Sequence, residues 1–180
     1  MAKSYEAIPE DSIEFIRQQK IFFVATAGAG GRVNLSPKGM DSLRVLGPSR
    51  VIWLNVTGSG NETAAHVAEN GRMTLMFCAF DGGPMILRLY GQARVIHPRD
   101  AEWDALADQL PSLTGARQIF DLAVDMVQTS CGFAVPLFDY VGDRDQLLRW
   151  AEKKGEQGVR DYWVEKNQLS LDGLPTHILK

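Results

Sequence analysis

Apolar residues recur along this chain in two rhythms. Near the amino terminus Ile13, Phe15 and Ile16 fall among charges after Pro9, Glu10, Asp11 and Ser12. Acidic and capping residues ahead of a short amphipathic stretch signal a helix start, and this helix is expected to end near Lys20. From there the pattern is that of strands: Ile21 to Thr26, Arg32 to Pro37, Ser42 to Leu46 and Val51 to Val56. The glycines at 28, 30 and 31, and the run Gly47, Pro48, Ser49, punctuate them as turns, so consecutive strands should pair antiparallel.

A polar loop, Thr57 to Asn61, leads into a short helix from about Glu62 to Glu69, stopped by Asn70 and Gly71. Met73 to Phe80 and Met85 to Ile96 are the longest strand signals, with turn chemistry at Asp81 to Pro84. Trp103, Leu106 and Leu110 recur at helical spacing, Pro111 to Gly115 is a break, and Ile119 to Thr129 reads as one more strand. Beyond Asp143, Leu147, Leu148, Trp150 and Ala151 lie among charges as on an amphipathic helix, and Val159 to Lys166 reads as another. The expectation is a single domain of the mainly β (α+β) class. An antiparallel sheet closes into a barrel over about residues 10–135, with peripheral helices and a helical carboxyl-terminal extension over about 143–180.

Composition narrows the function classes. The chain has 180 residues, 45% hydrophobic and 23% charged, enough to build a core without disulfides or structural metals. A net charge of -3 and a pI near 5.6 argue against a general nucleic-acid binder. No apolar run approaches the roughly 20 residues that cross a bilayer, and the mixed, polar start does not read as a signal peptide, so a cytoplasmic location and no membrane are expected. His66, His97 and His177 are scattered, and neither Cys78 nor Cys131 has a ligand neighbour at metal-binding spacing. No metal is expected. Cys131 reads as a small buried residue, and Asp139, Asp143 and Asp145 as solvated charges and a helix cap.

Two segments carry candidate chemistry. Thr57-Gly58-Ser59-Gly60-Asn61-Glu62-Thr63 leaves a strand and opens a helix, where free amides attract an anion. Ser59 and Glu62 also have the spacing of a capping box, which would satisfy those amides internally. A Rossmann reading of the glycines fails because the flanking hairpins are not an alternation of strands and helices. Ser36-Pro37-Lys38-Gly39 ends another strand with a hydroxyl, a cation and a glycine, a combination that can hold a phosphate. Arg88 lies inside an apolar strand, on one face with Ile86 and Tyr90. There it either faces solvent or needs an anion.

Taken in order, Val33-Asn34-Leu35-Ser36-Pro37-Lys38-Gly39, the segment from Thr57 to His66, Asn70 to Phe80 and Ile86 to Gly91 resemble the pyridoxamine 5'-phosphate oxidase-related family of FMN-binding split-barrel proteins. The resemblance implies a six-stranded antiparallel Greek-key split barrel and a homodimer with FMN in clefts at its interface. It implies an FMN-dependent oxidoreductase acting on an unknown small molecule, with NAD(P)H as a possible electron donor. It places Ser59, Gly60, Asn61 and Thr63 at the FMN phosphate and Ser36, Pro37, Lys38 and Gly39 beside the flavin. Arg88 falls in the cofactor wall, and Gln128 and Ser130 reach the flavin from the partner subunit. The loop lacks the basic residues of true pyridoxamine phosphate oxidases, which leaves Lys38, Arg44 and Arg88 as candidate counter-charges. The vitamin-binding residues are not recognisable in Ser170 to Lys180, so the resemblance is to an uncharacterised branch. Alternatives are a non-catalytic FMN or haem-binding carrier, with His66 the histidine nearest the loop, and a deazaflavin in place of FMN.

Overall fold

The computed structural model describes residues 2–180. The chain forms β1 (Lys3–Tyr5), α1 (Glu10–Gln18), β2 (Phe22–Ala27), β3 (Val33–Lys38), β4 (Leu43–Gly47), β5 (Arg50–Val56), α2 (Glu62–Asn70), β6 (Arg72–Cys78), β7 (Ile86–Ile96), α3 (Trp103–Ala107), β8 (Ala116–Ser130) and α4 (Gln146–Lys166). All strand pairs are antiparallel, in the order β3-β2-β6-β7-β8-β5-β4, with β1 added to the far end of β8.

The two end strands of that path, β3 and β4, are consecutive in the chain and joined only through Gly39 to Ser42. So short a connection spans at most roughly 20 Å, and the sheet must therefore roll up until its ends meet. No ladder joins β3 to β4 among the described residues, which leaves the barrel split along this seam. Pro37 is tolerated because β3 is an end strand and pairs on one side only.

Alternation on β5 divides the core. Val51 and Trp53 point into the barrel with Phe22, Leu75, Phe77, Leu87, Leu89 and Phe120. Ile52 and Leu54 point outward and are covered by Leu106 and Leu110, in and just beyond α3. With both faces buried the strand reads as a continuous apolar run. Trp53 and Phe120, register partners on β5 and β8, stack with ring centroids 4.5 Å apart.

The sheet has eight strands, where the resemblance implies a six-stranded barrel. β1 escapes the apolar pattern because Lys3, Ser4 and Tyr5 are exposed. β8 starts at Ala116 rather than Ile119, its first residues including the buried polar Arg117 and Gln118. The two helices expected after Asp143 form one element, α4, interrupted at Gly155, whose φ of 67° lies in the region glycine favours. No helix among the described residues is long and apolar enough to cross a membrane.

Candidate functional site

Strand β3 has two unlike faces. Val33, Leu35 and Pro37 are exposed, while Asn34, Ser36 and Lys38 turn inward to a polar cavity of about 310 Å³. Asn55 from β5, the loop Gly58 to Thr63 and Arg117 from β8 complete its walls. The two candidate segments of the sequence thus meet in one place, with Arg117, which sequence reasoning missed, between them.

The cavity holds two cations and no ion-pair partner for either among the described residues. Burial, and secondarily the Arg117 guanidinium, pushes the Lys38 ammonium down to about 8. Burial likewise pushes Arg117, 3% exposed, down to about 10. The Asn55 carboxamide lies between them. In one orientation its oxygen accepts from Lys38 Nζ at 3.4 Å; in the other it accepts from Arg117 Nε at 3.1 Å and Nη2 at 3.2 Å. In either orientation one of the two cations is left without this oxygen. Lys38 also sits 5.4 Å from the centroid of the Trp53 ring.

The loop's backbone is arranged to match. Asn167, after α4, donates from Nδ2 to the Gly58 carbonyl at 3.0 Å and the Ser59 carbonyl at 3.4 Å, and Arg117 Nη2 donates to the Gly60 carbonyl at 2.8 Å. In a trans peptide C=O and N–H point opposite ways. Tying down these three carbonyls therefore turns the N–H groups of Ser59, Gly60 and Asn61 to the other side, and none of the three has an acceptor among the described residues. They adjoin the start of α2, where the first-turn amides are also without intrahelical acceptors.

The capping box expected of Ser59 and Glu62 does not form. Ser59 is exposed, Asn61 is the residue preceding α2, and neither makes a side-chain cap. The Glu62 carboxylate instead accepts from the Leu171 N–H at 2.9 and 3.1 Å. The loop donors are thus left unfilled, and Glu62 is engaged by the carboxyl-terminal tail. Thr63 is held in a polar chain: Asn34 Nδ2 donates to Thr63 Oγ1 at 3.1 Å, and Ser36 Oγ donates to Asn34 Oδ1 at 3.1 Å.

The other sequence candidates lie elsewhere. Gly39 opens the turn after β3, and its carbonyl accepts from the Ser42 hydroxyl at 2.7 Å. Arg44 is bound to the Asp41 carboxylate at 2.8 and 2.9 Å and does not line the cavity. Arg88, Gln128 and Ser130 group on β7 and β8: Arg88 and Gln128 are register partners, and Arg88 Nη1 donates to Ser130 Oγ at 3.4 Å. None of these three lines the cavity formed by a single chain. His66 is 1% exposed, its Nδ1 is 3.1 Å from Thr26 Oγ1, and it too does not line the cavity. Trp53 and Phe77 belong to the core, whereas Phe80 packs on Phe138 with centroids 5.6 Å apart. Cys131 is exposed, contrary to its buried reading, and Cys78 is buried; both are free thiols. No cluster of metal-ligating residues occurs among the described residues.

Comparison with known proteins agrees with this architecture. A family model described as pyridoxamine 5'-phosphate oxidase matches residues 8–131. The pyridoxamine 5'-phosphate oxidase family protein ustO of Aspergillus flavus is 39% identical over 189 residues, covering 95% of this chain and 76% of the relative. Among solved structures, a putative pyridoxamine 5'-phosphate oxidase of Lactobacillus delbrueckii superposes with a TM-score of 0.55 at 21% identity, over 68% of this chain and 94% of that one. HupZ of Group A Streptococcus superposes with a TM-score of 0.53 at 21% identity, over 66% of this chain and 91% of that one. Both structures share the fold.

Proposed function

The chain belongs to the pyridoxamine 5'-phosphate oxidase family, and from that premise we propose that it binds FMN and works as an FMN-dependent oxidoreductase on a small molecule. The observation that carries the reading is the pairing of Lys38 and Arg117, two cations in ion-pair contact with no carboxylate while Glu62 of the same cavity accepts from the Leu171 N–H, beside three outward-turned loop amides. A dianionic phosphate group is what that arrangement lacks. The donor set fits it: Lys38 as a mobile point charge, the N–H groups of Ser59, Gly60 and Asn61, and the hydroxyl of Thr63, which accepts from Asn34 and keeps its own proton to donate. A Cβ built at Gly58 would meet nothing within 4 Å, and at neither Gly58 nor Gly60 does a positive φ demand glycine. At Gly60 a Cβ would come within 3.3 Å of Glu62 Oε1, and the open space at Gly58 leaves room for a ligand against the backbone.

In this reading Arg117 is a fixed source of positive field, since its own donors are spent on Asn167, Gly60 and Asn55. Lys38 moves to meet the phosphate. Bound flavin would supply two-electron redox chemistry between a donor, such as NAD(P)H, and an acceptor. The chain's own part would be to anchor the phosphate through Lys38 and the loop amides, with the inward side chains of β3 beside the flavin.

The reading includes a homodimer. Val33 and Leu35, 75% and 62% exposed, form an apolar stripe with Pro37 behind the cavity wall, and Phe133, Leu137 and Val141 are exposed after β8. A second copy would cover such surface and bring Arg88, Gln128 and Ser130 to a flavin held by its partner. Anaerobic addition of NADPH or NADH to the FMN-loaded protein tests the enzymatic half. Bleaching of the flavin absorbance with turnover on re-aeration supports an oxidoreductase, and an unchanged spectrum with both donors leaves an FMN carrier.

A further inference from the structure

The tail beyond α4 is tied to the loop and to Arg117 of the cavity, and to the β2–β3 hairpin beside it. Asp172 accepts from the Arg32 backbone N–H at 2.7 Å and forms an ion pair with its guanidinium, holding the β2–β3 hairpin. Leu171 donates to Glu62 at the start of α2. Between these ties and α4 lies Asn167, fully buried, with almost every polar atom engaged. Its Oδ1 accepts from Arg117 Nη1 at 2.8 Å, and its Nδ2 holds the carbonyls of Gly58 and Ser59. Its backbone carbonyl accepts from Thr176 Oγ1 at 2.6 Å and Asn61 Nδ2 at 3.4 Å, and its N–H donates to the Trp163 carbonyl at 3.0 Å.

We infer that Asn167 is a positioning residue for the anion site: one carboxamide turns the loop carbonyls away from the ligand and at the same time fixes the Arg117 guanidinium behind it. The inference rests on the reading of the cavity as the FMN phosphate site. Only a carboxamide does both jobs, because it carries a donor pair for carbonyls and an acceptor for a guanidinium on one short, planar group. Without the donors, the Gly58 and Ser59 peptides are free to rotate and present oxygen to the phosphate. Without the acceptor, Arg117 loses its hold on the side away from Gly60. An aspartate keeps the acceptor and introduces a charge of the wrong sign. The carboxyl-terminal extension is then part of the site rather than an appendage to the barrel.

The experiment is a fluorescence-quenching titration of the full-length protein with FMN, for wild type, Asn167→Ala and Asn167→Asp, alongside the melting temperature of each without FMN. The expected affinity order is wild type, then Asn167→Ala weaker by about 10- to 100-fold, then Asn167→Asp weaker still. The expected melting order differs, with Asn167→Asp at least as stable as Asn167→Ala because its carboxylate pairs with Arg117. Unchanged FMN affinity in Asn167→Ala overturns the inference and leaves the flavin reading standing. So does an affinity order that follows the melting order, which marks Asn167 as structural only. Failure of the wild type to quench FMN overturns the flavin reading, and the inference with it.

Discussion

Lys38 and Arg117 face one cavity, and the guanidinium adds to burial in holding the ammonium near a value of about 8. The sign of the consequence follows directly. Lys38 titrates lower in the folded chain than in the unfolded one, so burial of its charge opposes folding below about 8. That opposition fades as pH rises from about 8 toward the ordinary lysine value of 10.5. Anion affinity runs the other way. FMN phosphate is dianionic above about pH 6, so its affinity should be greatest near pH 7 to 8 and fall by up to about tenfold per unit above that. Titrations across this range should show the fall in wild type and a flat, weaker profile in Lys38→Met.

Arg117 bridges three groups with a planar fork, through Asn167, Gly60 and Asn55. Arg117→Lys keeps the charge but cannot span them, and Arg117→Met loses both charge and span. FMN affinity should drop about tenfold in the first and by about 10- to 100-fold or more in the second, measured by equilibrium titration. Equal affinities in the two variants and wild type would remove Arg117 from the site.

Glu62 lines the cavity, yet its carboxylate is taken by the Leu171 N–H. Glu62→Gln keeps an oxygen for that bond and deletes a negative charge near the phosphate. FMN should bind equally well or a few-fold more tightly. Glu62→Ala should release the tail, read as faster proteolytic cleavage after α4.

Asn61 is 2% exposed at the foot of α2, beside the free amides. Asn61→Asp adds a second negative charge next to the phosphate and should weaken FMN by at least about tenfold, whereas Asn61→Ser, also a good helix-start residue, should be milder. Equal binding by the two would mean that the loop contacts no phosphate.

Leu35 is 62% exposed on the outer face of β3, directly behind the wall that carries Ser36 and Lys38. Leu35→Lys should shift the protein from dimer to monomer in sedimentation and weaken FMN binding without lowering helix or sheet content. A wild type that sediments as a monomer at micromolar concentration would contradict the dimer.

Much of this was legible in the sequence because burial follows periodicity. Val33 to Lys38 was legible as a strand ending in a hydroxyl and a cation and Thr57 to Asn61 as the loop that opens a helix, while the division of β3 into an inward polar and an outward apolar face comes from the structure. Three things were not legible, and each is a tertiary effect. Arg117 hides in a strand buried on both faces, where a cation interrupts the apolar pattern and makes the strand seem to start later. Asn167 lies 106 residues from Asn61 in the chain and carries no motif. The Ser59 and Glu62 spacing is that of a capping box, but Leu171, 109 residues after Glu62, takes the carboxylate. Arg44 and Arg88 stand with Lys38 as candidate counter-charges in the sequence because the loop itself carries no basic residue. Asp41 takes the one, and β7 carries the other onto a face shared with Gln128 and Ser130.

The most direct test of the central claim is titration of the purified, flavin-free protein with FMN at pH 7, followed by quenching of flavin fluorescence and checked against riboflavin. Saturable quenching at one FMN per chain, with riboflavin much weaker because it lacks the phosphate that Lys38, Arg117 and the loop amides are arranged to hold, is the predicted result. No quenching by FMN, or equal binding of FMN and riboflavin, would contradict it.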